Sequence, residues 1–202
     1  MTAVAALARI ARENGITLVH VSSDYVFDGT KVGAYSTDDP VSPLGVYGQT
    51  KAAGDAIVAS LPYHHIIRTS WVIGDGNNFV RTMASLAERG IDPRVVNDQF
   101  GRLSFSSDIA ATIRRLLEAR SPSGTHNVTG RGAPMSWFDI AREVFRLSGH
   151  EPARVSGVST ETYFAGASAP VAPRPQNSVL EVSDVAVSEM SLERYLRSLR
   201  TP

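Results

Sequence analysis

The sequence predicts an α/β fold built on a parallel, doubly wound sheet. Two observations carry that expectation. Short apolar segments of strand length alternate with segments whose apolar residues recur at helical spacing, the pattern of βαβ units. The first strand segment, ITLVHV (Ile16–Val21), is also apolar on both faces, as a strand covered by helices on each side must be. A chain of 202 residues with 43% hydrophobic and 20% charged content suits one domain with a sizeable core.

The elements follow in order. Residues 1–13 place Val4, Leu7, Ala8 and Ala11 at helical spacing, and Asn14-Gly15 stops that helix. After the first strand comes a long loop punctuated by Gly29, Gly33, Asp38-Asp39-Pro40 and Ser42-Pro43. Val46 to Ser60 reads as helix, HHIIRTSWVI (His64–Ile73) as strand and Phe79 to Arg89 as helix. Arg94–Val96 is a short strand candidate. Ser106-Ser107-Asp108 is placed to cap a helix with Ile109, Ile113, Leu116 and Leu117 on one face. THNV (Thr125–Val128) is a further short strand. Ser136-x-x-Asp139 is a capping box opening a helix that ends near Ser148-Gly149. Glu151 to Pro175 is rich in Pro, Ala, Ser and Gly and is expected to be mostly loop. Leu192 to Leu199 closes the chain as a helix, and no internal repeat is present.

Charge and composition exclude several function classes. Twenty Lys+Arg balance twenty Asp+Glu, so no field invites nucleic acid or an anionic membrane. Zero cysteines exclude disulfides and thiolate metal sites. In the apolar start MTAVAALARIAREN, Arg9 and Arg12 fall inside the apolar stretch rather than before it. No apolar run approaches the ~18 residues of a membrane span, so a cytoplasmic chain is expected. In that compartment the sequon Asn127-Val128-Thr129 is a chance match, and His64-His65 reads as strand structure rather than a metal pair.

The chemistry concentrates in two stretches. Tyr47 and Lys51 stand four apart at a helix start, which puts them on one face about 6 Å apart. An ammonium beside a phenol favours the phenolate and makes it a usable acid or base. Ser22 or Ser23, at the exit of a parallel strand where ligands bind in open α/β sheets, can contact the same substrate oxygen. Hydroxyl, Tyr and Lys together suit proton transfer at a carbonyl or alcohol coupled to hydride transfer with a nicotinamide. A lone Tyr-x-x-x-Lys is common by chance and SSD is more often a turn. Order carries the case: strand, Ser-Ser, a long loop, then Tyr-x-x-x-Lys opening a helix before another strand.

The blocks VSSDYVFDGT, YSTDDPVSPLGVYGQTK, RTSWVIG, NNF and VVNDQFG, with the late APRPQNSVLEVS, resemble in order the dTDP-4-dehydrorhamnose reductase family of extended short-chain dehydrogenases/reductases. The resemblance covers nearly the whole chain. It implies reduction of dTDP-4-dehydro-β-L-rhamnose, a dTDP-4-keto-6-deoxy sugar, to dTDP-β-L-rhamnose with NADPH or NADH. Carried over by position, it makes Tyr47 the proton donor and Lys51 the residue that supports it and holds the nicotinamide ribose. Ser23 becomes the hydroxyl on the sugar oxygen, and Asp24 and Trp71 substrate contacts. Val21 and Ser22 fall where the strand passes the nicotinamide. Without the resemblance, Trp71 reads as a core aromatic and Asp24 as a loop cap.

The sequence also departs from the family. Its opening strand and Gly-x-x-Gly-x-x-Gly turn, which hold the cofactor pyrophosphate, are absent, and GDG at Gly74–Gly76 is only faintly similar and misplaced. The expectation is therefore a partial Rossmann-type sheet lacking its first strands, an N-terminally truncated family member with exposed strand edges and apolar helix faces. A single domain 1–202 is expected, about 1–130 the remaining Rossmann-type part and about 131–202 a small C-terminal substrate-binding region, the two interleaved. Alone, such a chain is expected to be inactive or badly folded, and its candidate partners are a second copy, as a homodimer, or a fusion with the missing N-terminal half. Some members of the family use Mg²⁺ at a subunit contact, and no ligand set here places one. Two other readings remain: a non-catalytic regulatory subunit of this fold, as in methionine adenosyltransferase, and a related nucleotide-sugar epimerase or dehydratase.

Overall fold

A computed structural model describes residues 2–200. In chain order the elements are α1 (Thr2–Glu13), β1 (Leu18–Ser23), α2 (Val46–Ala59), β2 (His64–Thr69), β3 (Val72–Ile73) and α3 (Phe79–Glu88). Next come β4 (Arg94–Val96), β5 (Phe100–Gly101), β6 (Ser104–Phe105), α4 (Ser106–Glu118), β7 (Gly124–Asn127) and β8 (Met135–Ser136). The chain closes with α5 (Trp137–Leu147), β9 (Ser156–Val158), α6 (Thr160–Phe164) and α7 (Leu192–Arg200).

The central sheet is parallel, in the order β1-β2-β7, with Leu18 opposite His64 and Ser23 opposite Thr69. The pairs β3–β6 and β4–β9 are also parallel, and β5–β8 is antiparallel. β1 lies at an edge of the central sheet, and Val21 on it is exposed. The largest core packs α3, α5 and α7 around Phe105, Ile140, Val144 and Phe145. A smaller one, Val26, Phe27, Tyr35 and Leu180, fixes the loop that leaves β1.

Five sequence expectations need correction. The first strand begins at Leu18 rather than Ile16 and ends at Ser23 rather than Val21. Ile16 donates its N–H to the Ala11 carbonyl through the Gly15 turn, so it belongs to the end of α1. His64–Ile73 is not one strand. Trp71 adopts a left-handed φ of 45°, which splits the run into β2 and β3 in different sheets. Phe105 is the N-cap residue of α4, with no side-chain cap, and Asp108 instead accepts the Met190 N–H. Leu117 is exposed, because one residue past Leu116 rotates it about 100° off the buried stripe. Finally, residues 151–175 hold β9, paired with β4, and α6, capped by Ser159.

Other expectations hold. Ser136 and Asp139 form the capping box of α5. On α1, Ala8 and Ala11 bury against Leu61 while Leu7 and Ile10 stay exposed. Among the described residues no helix is long and apolar enough to cross a membrane.

Candidate functional site

Extending β1 by two residues carries Ser22 and Ser23 into the ladder and places Asp24 just past its carboxyl end. Asp24 opens a single 3-10 turn, Asp24–Val26. The Ser23 hydroxyl donates to Asp24 Oδ1 at 3.0 Å, and its oxygen accepts the Tyr25 N–H at 3.2 Å. Asp24 is almost fully buried, and burial pushes its carboxyl up to about 6 although the hydroxyls of Ser178 and Ser23 oppose the shift. Three buried polar atoms here have no hydrogen-bond partner: Ser22 Oγ, Asp24 Oδ2 and Thr69 Oγ1. Unsatisfied polar atoms at the carboxyl ends of neighbouring parallel strands are what a ligand site leaves for its ligand.

Helix α2 is pressed onto this turn by a glycine. A Cβ on Gly48 would stand 2.1 Å from the Tyr25 carbonyl oxygen, so no other residue permits the approach. The contact sets Tyr47 beside Tyr25, ring centroids 5.6 Å apart and nearly perpendicular. Tyr47 is 56% exposed, its ring open to an incoming ligand. One turn on, the Lys51 ammonium donates to the Val21 carbonyl oxygen, which anchors the charge at the strand end rather than on the Tyr47 hydroxyl.

One more turn along α2, Asp55 fastens the helix to the sheet. Arg68 Nε on β2 donates to Asp55 Oδ2 at 3.2 Å, and both side chains are buried. His20 Nε2 on β1 stands 3.5 Å from Asp55 Oδ1. Arg68 also donates to the Thr37 carbonyl and lies over the Phe27 ring. This network fixes α2, and with it Tyr47 and Lys51, in register with the exit of β1.

Val21, Ser22, Ser23, Asp24, Tyr47 and Lys51 are thus brought together. Trp71 has a different setting. It stacks on Trp137 at 3.8 Å, and Gly101 has no side chain because a Cβ would meet the indole at 2.8 Å. Among the described residues no ring contact or hydrogen bond joins Trp71 to Tyr47 or Asp24.

Two concavities flank the site. One, of about 370 Å³, lies between Tyr25, Tyr47 and the segment Pro170–Pro175. The other, of about 410 Å³, is a groove lined by Phe79, Trp137, Tyr163 and Phe164, with Thr82, Arg94, Gln99 and Arg174 as its polar lining. Arg174 also interacts with the Tyr25 hydroxyl; burial raises that phenol and Arg174 draws it back. Sequence reasoning passed over Tyr25 and Arg174 as site residues, although both lie inside motif blocks. In VVNDQFG the loop is tied to α6: Asp98 accepts the Thr160 N–H and hydroxyl, and Gln99 donates to that hydroxyl. His65 is buried, 3.3 Å from His126, and among the described residues no group of three or more His, Asp or Glu is placed to share a metal.

Comparison with known proteins matches residues 1–201 to the family described as RmlD substrate binding domain. The chain belongs to the RmlD substrate binding domain family. A relative from Streptomyces niveus, named dTDP-4-keto-6-deoxy-D-glucose reductase, is 39% identical over 163 residues, covering 79% of this chain and 56% of its own. A solved dTDP-4-dehydrorhamnose reductase ortholog from Clostridium acetobutylicum superposes with a TM-score of 0.87 at 34% identity, over 98% of this chain and 71% of that one. The Bacillus anthracis dTDP-4-dehydrorhamnose reductase, solved with NADP, gives 0.84 at 31%, over 96% and 69%. This RmlD family member spans 56% to 69% of the length of the first curated relatives it matches.

Proposed function

We propose that this chain carries the catalytic and sugar-nucleotide-binding part of a cytoplasmic reductase that converts dTDP-4-dehydro-β-L-rhamnose to dTDP-β-L-rhamnose with NADPH or NADH. The observation that carries the reading is the exit of β1, where Ser23 and Asp24 are buried beside Tyr47 and the Lys51 ammonium is anchored on Val21. The names of the relatives and the NADP held by the Bacillus anthracis enzyme support it.

The residues fit one end of such a cofactor. Unpartnered Ser22 Oγ and the exposed edge at Val21, with Lys51 and Tyr47 beside them, suit the nicotinamide and its ribose. No Gly-x-x-Gly-x-x-Gly turn occurs in the 202 residues, so the pyrophosphate has no cradle of that kind within them. When bound, the reduced nicotinamide supplies the hydride for the carbonyl carbon.

This chain's residues do the rest. The Tyr47 hydroxyl donates its proton to the substrate oxygen as charge develops there, and Lys51 stabilises the phenolate left behind. The Ser23 hydroxyl, turned from Asp24 toward the substrate, donates to the same oxygen. Asp24, buried next to Ser23 and also reached by the Ser178 hydroxyl, is the carboxyl proposed to accept from a sugar hydroxyl. The groove of Phe79, Trp137, Tyr163 and Phe164 suits a flat base, and Arg174, between groove and Tyr25, suits the diphosphate. On this reading Trp71 backs the groove through Trp137.

Titrating dTDP-L-rhamnose into the protein tests the substrate; no binding refutes it. Any oxidation of NADPH with the 4-keto sugar as acceptor should vanish in Tyr47→Phe. Equal rates in both proteins refute the role of Tyr47.

A further inference from the structure

Helix α7 places Leu192, Tyr195, Leu196 and Leu199 at helical spacing, and that stripe packs into the largest core. Tyr195 is 6% exposed, with its ring centroid 5.6 Å from that of Phe105. Its hydroxyl reaches the turn between β3 and α3. There it donates to the Gly74 carbonyl at 2.7 Å and accepts from Asn78 Nδ2 at 2.7 Å and Arg81 Nε at 3.1 Å. A phenol has one proton and two lone pairs, so this hydroxyl is used to capacity.

Its partners are the residues that start α3. Asn78 caps that helix: its Oδ1 accepts the Arg81 N–H at 3.1 Å, and its Nδ2 also donates to the Gly74 carbonyl at 2.9 Å. The next residue is Phe79, which forms one wall of the aromatic groove with Thr82 and Met83 of the same helix. Across the groove, the Phe79 ring lies 4.6 Å from Trp137 on α5. Apolar contacts among α3, α5 and α7 are non-directional and let packed helices slide a little. Hydrogen bonds are directional, so the Tyr195 hydroxyl fixes the rotation of α3 and the place of Phe79 opposite Trp137. The core itself needs only the ring, which a phenylalanine would supply. Tyr195 lines no part of the groove.

We infer that Tyr195 is a positioning residue for nucleotide recognition, holding Phe79 through Asn78 and Arg81 where a flat base can lie against it. The inference rests on the reading of that groove as the base site and adds to it the residue that fixes its aromatic wall. It gives α7 a part in recognition from a distance, without any contact to the ligand.

Calorimetric titration of dTDP into the wild type, Tyr195→Phe, Phe79→Leu and the double variant tests this. Phe79→Leu should weaken dTDP binding about tenfold, the effect of losing one aromatic ring under a base. Tyr195→Phe, which keeps the ring in the core, should weaken it on the order of fivefold. The double variant should bind no worse than Phe79→Leu alone, because the hydroxyl acts through that ring. Asn78→Asp keeps the cap acceptor, removes the donor to Tyr195 and should reproduce the loss seen in Tyr195→Phe. Wild-type affinity in Tyr195→Phe or Asn78→Asp, even with a lowered thermal midpoint, makes Tyr195 merely structural and overturns the inference. Losses that multiply in the double variant overturn it as well, and both results leave the base groove standing. No effect of Phe79→Leu, or no binding of dTDP to the wild type, overturns the groove reading and this inference with it.

Discussion

Replacing Asp24 by Asn isolates the energetic cost of the buried carboxyl. In the folded chain Asp24 holds its proton up to about 6, against 3.8 for the ordinary group. Between those values the folded state binds more protons than the unfolded state, so stability falls as pH rises through the window and levels off above it. Roughly two pH units at about 1.4 kcal/mol each give a cost near 3 kcal/mol at neutral pH. Asn keeps an acceptor for the Ser23 hydroxyl and carries no charge, so it removes that cost. Urea unfolding, followed by the fluorescence of Trp71 and Trp137 from about pH 4 to pH 8, reads it out. The variant should match the wild type at the acid end and exceed it by up to about 3 kcal/mol at neutral pH. Parallel stability curves for the two proteins across the window would refute the reasoning. If Asp24 also contacts the sugar, the gain in stability comes with weaker sugar-nucleotide binding, as at other strained sites.

Two more perturbations bear on how α2 is held. Asp55→Ala leaves the buried Arg68 guanidinium without its carboxylate, with the Thr37 carbonyl and the Phe27 ring in its place, and should cost about 3 kcal/mol in urea unfolding. The paired change Asp55→Leu with Arg68→Met should recover most of that loss, and a double variant as unstable as Asp55→Ala would mean the ion pair is not the cause. Gly48→Ala drives a methyl into the Tyr25 carbonyl, so it should lower the thermal midpoint and, where the chain still folds, weaken dTDP-L-rhamnose binding. A Gly48→Ala protein with unchanged midpoint and affinity would show that α2 does not need this close approach.

What the sequence disclosed was the part governed by local rules. Tyr47 and Lys51 share a face because of the helical period, and the strand before Ser22 is readable from its apolar run. The partner of Lys51 was not readable, since the Val21 carbonyl lies 30 residues away. The break at Trp71 was hidden because a left-handed tryptophan is disfavoured locally. It is held by the stack on Trp137 and the space left by Gly101, both remote in sequence. β9 sits in a stretch whose composition signals loop, and β4 supplies the pairing that makes it a strand. The cavity wall at Pro170–Pro175 and the reach of Arg174 to Tyr25 emerge only once the late segment folds back over the β1 exit.

The open flank of β1 has a consequence for how the molecule behaves in a crowded solution. Among the described residues β1 is an edge strand with Val21 exposed on it, and such an edge is a template on which another chain's strand can pair. Lys51 stands on that flank, occupies the Val21 carbonyl and plants a cation where a foreign strand would have to dock. A change at Lys51 is therefore expected to bear on pairing at this strand edge as well as on the chemistry proposed for Tyr47.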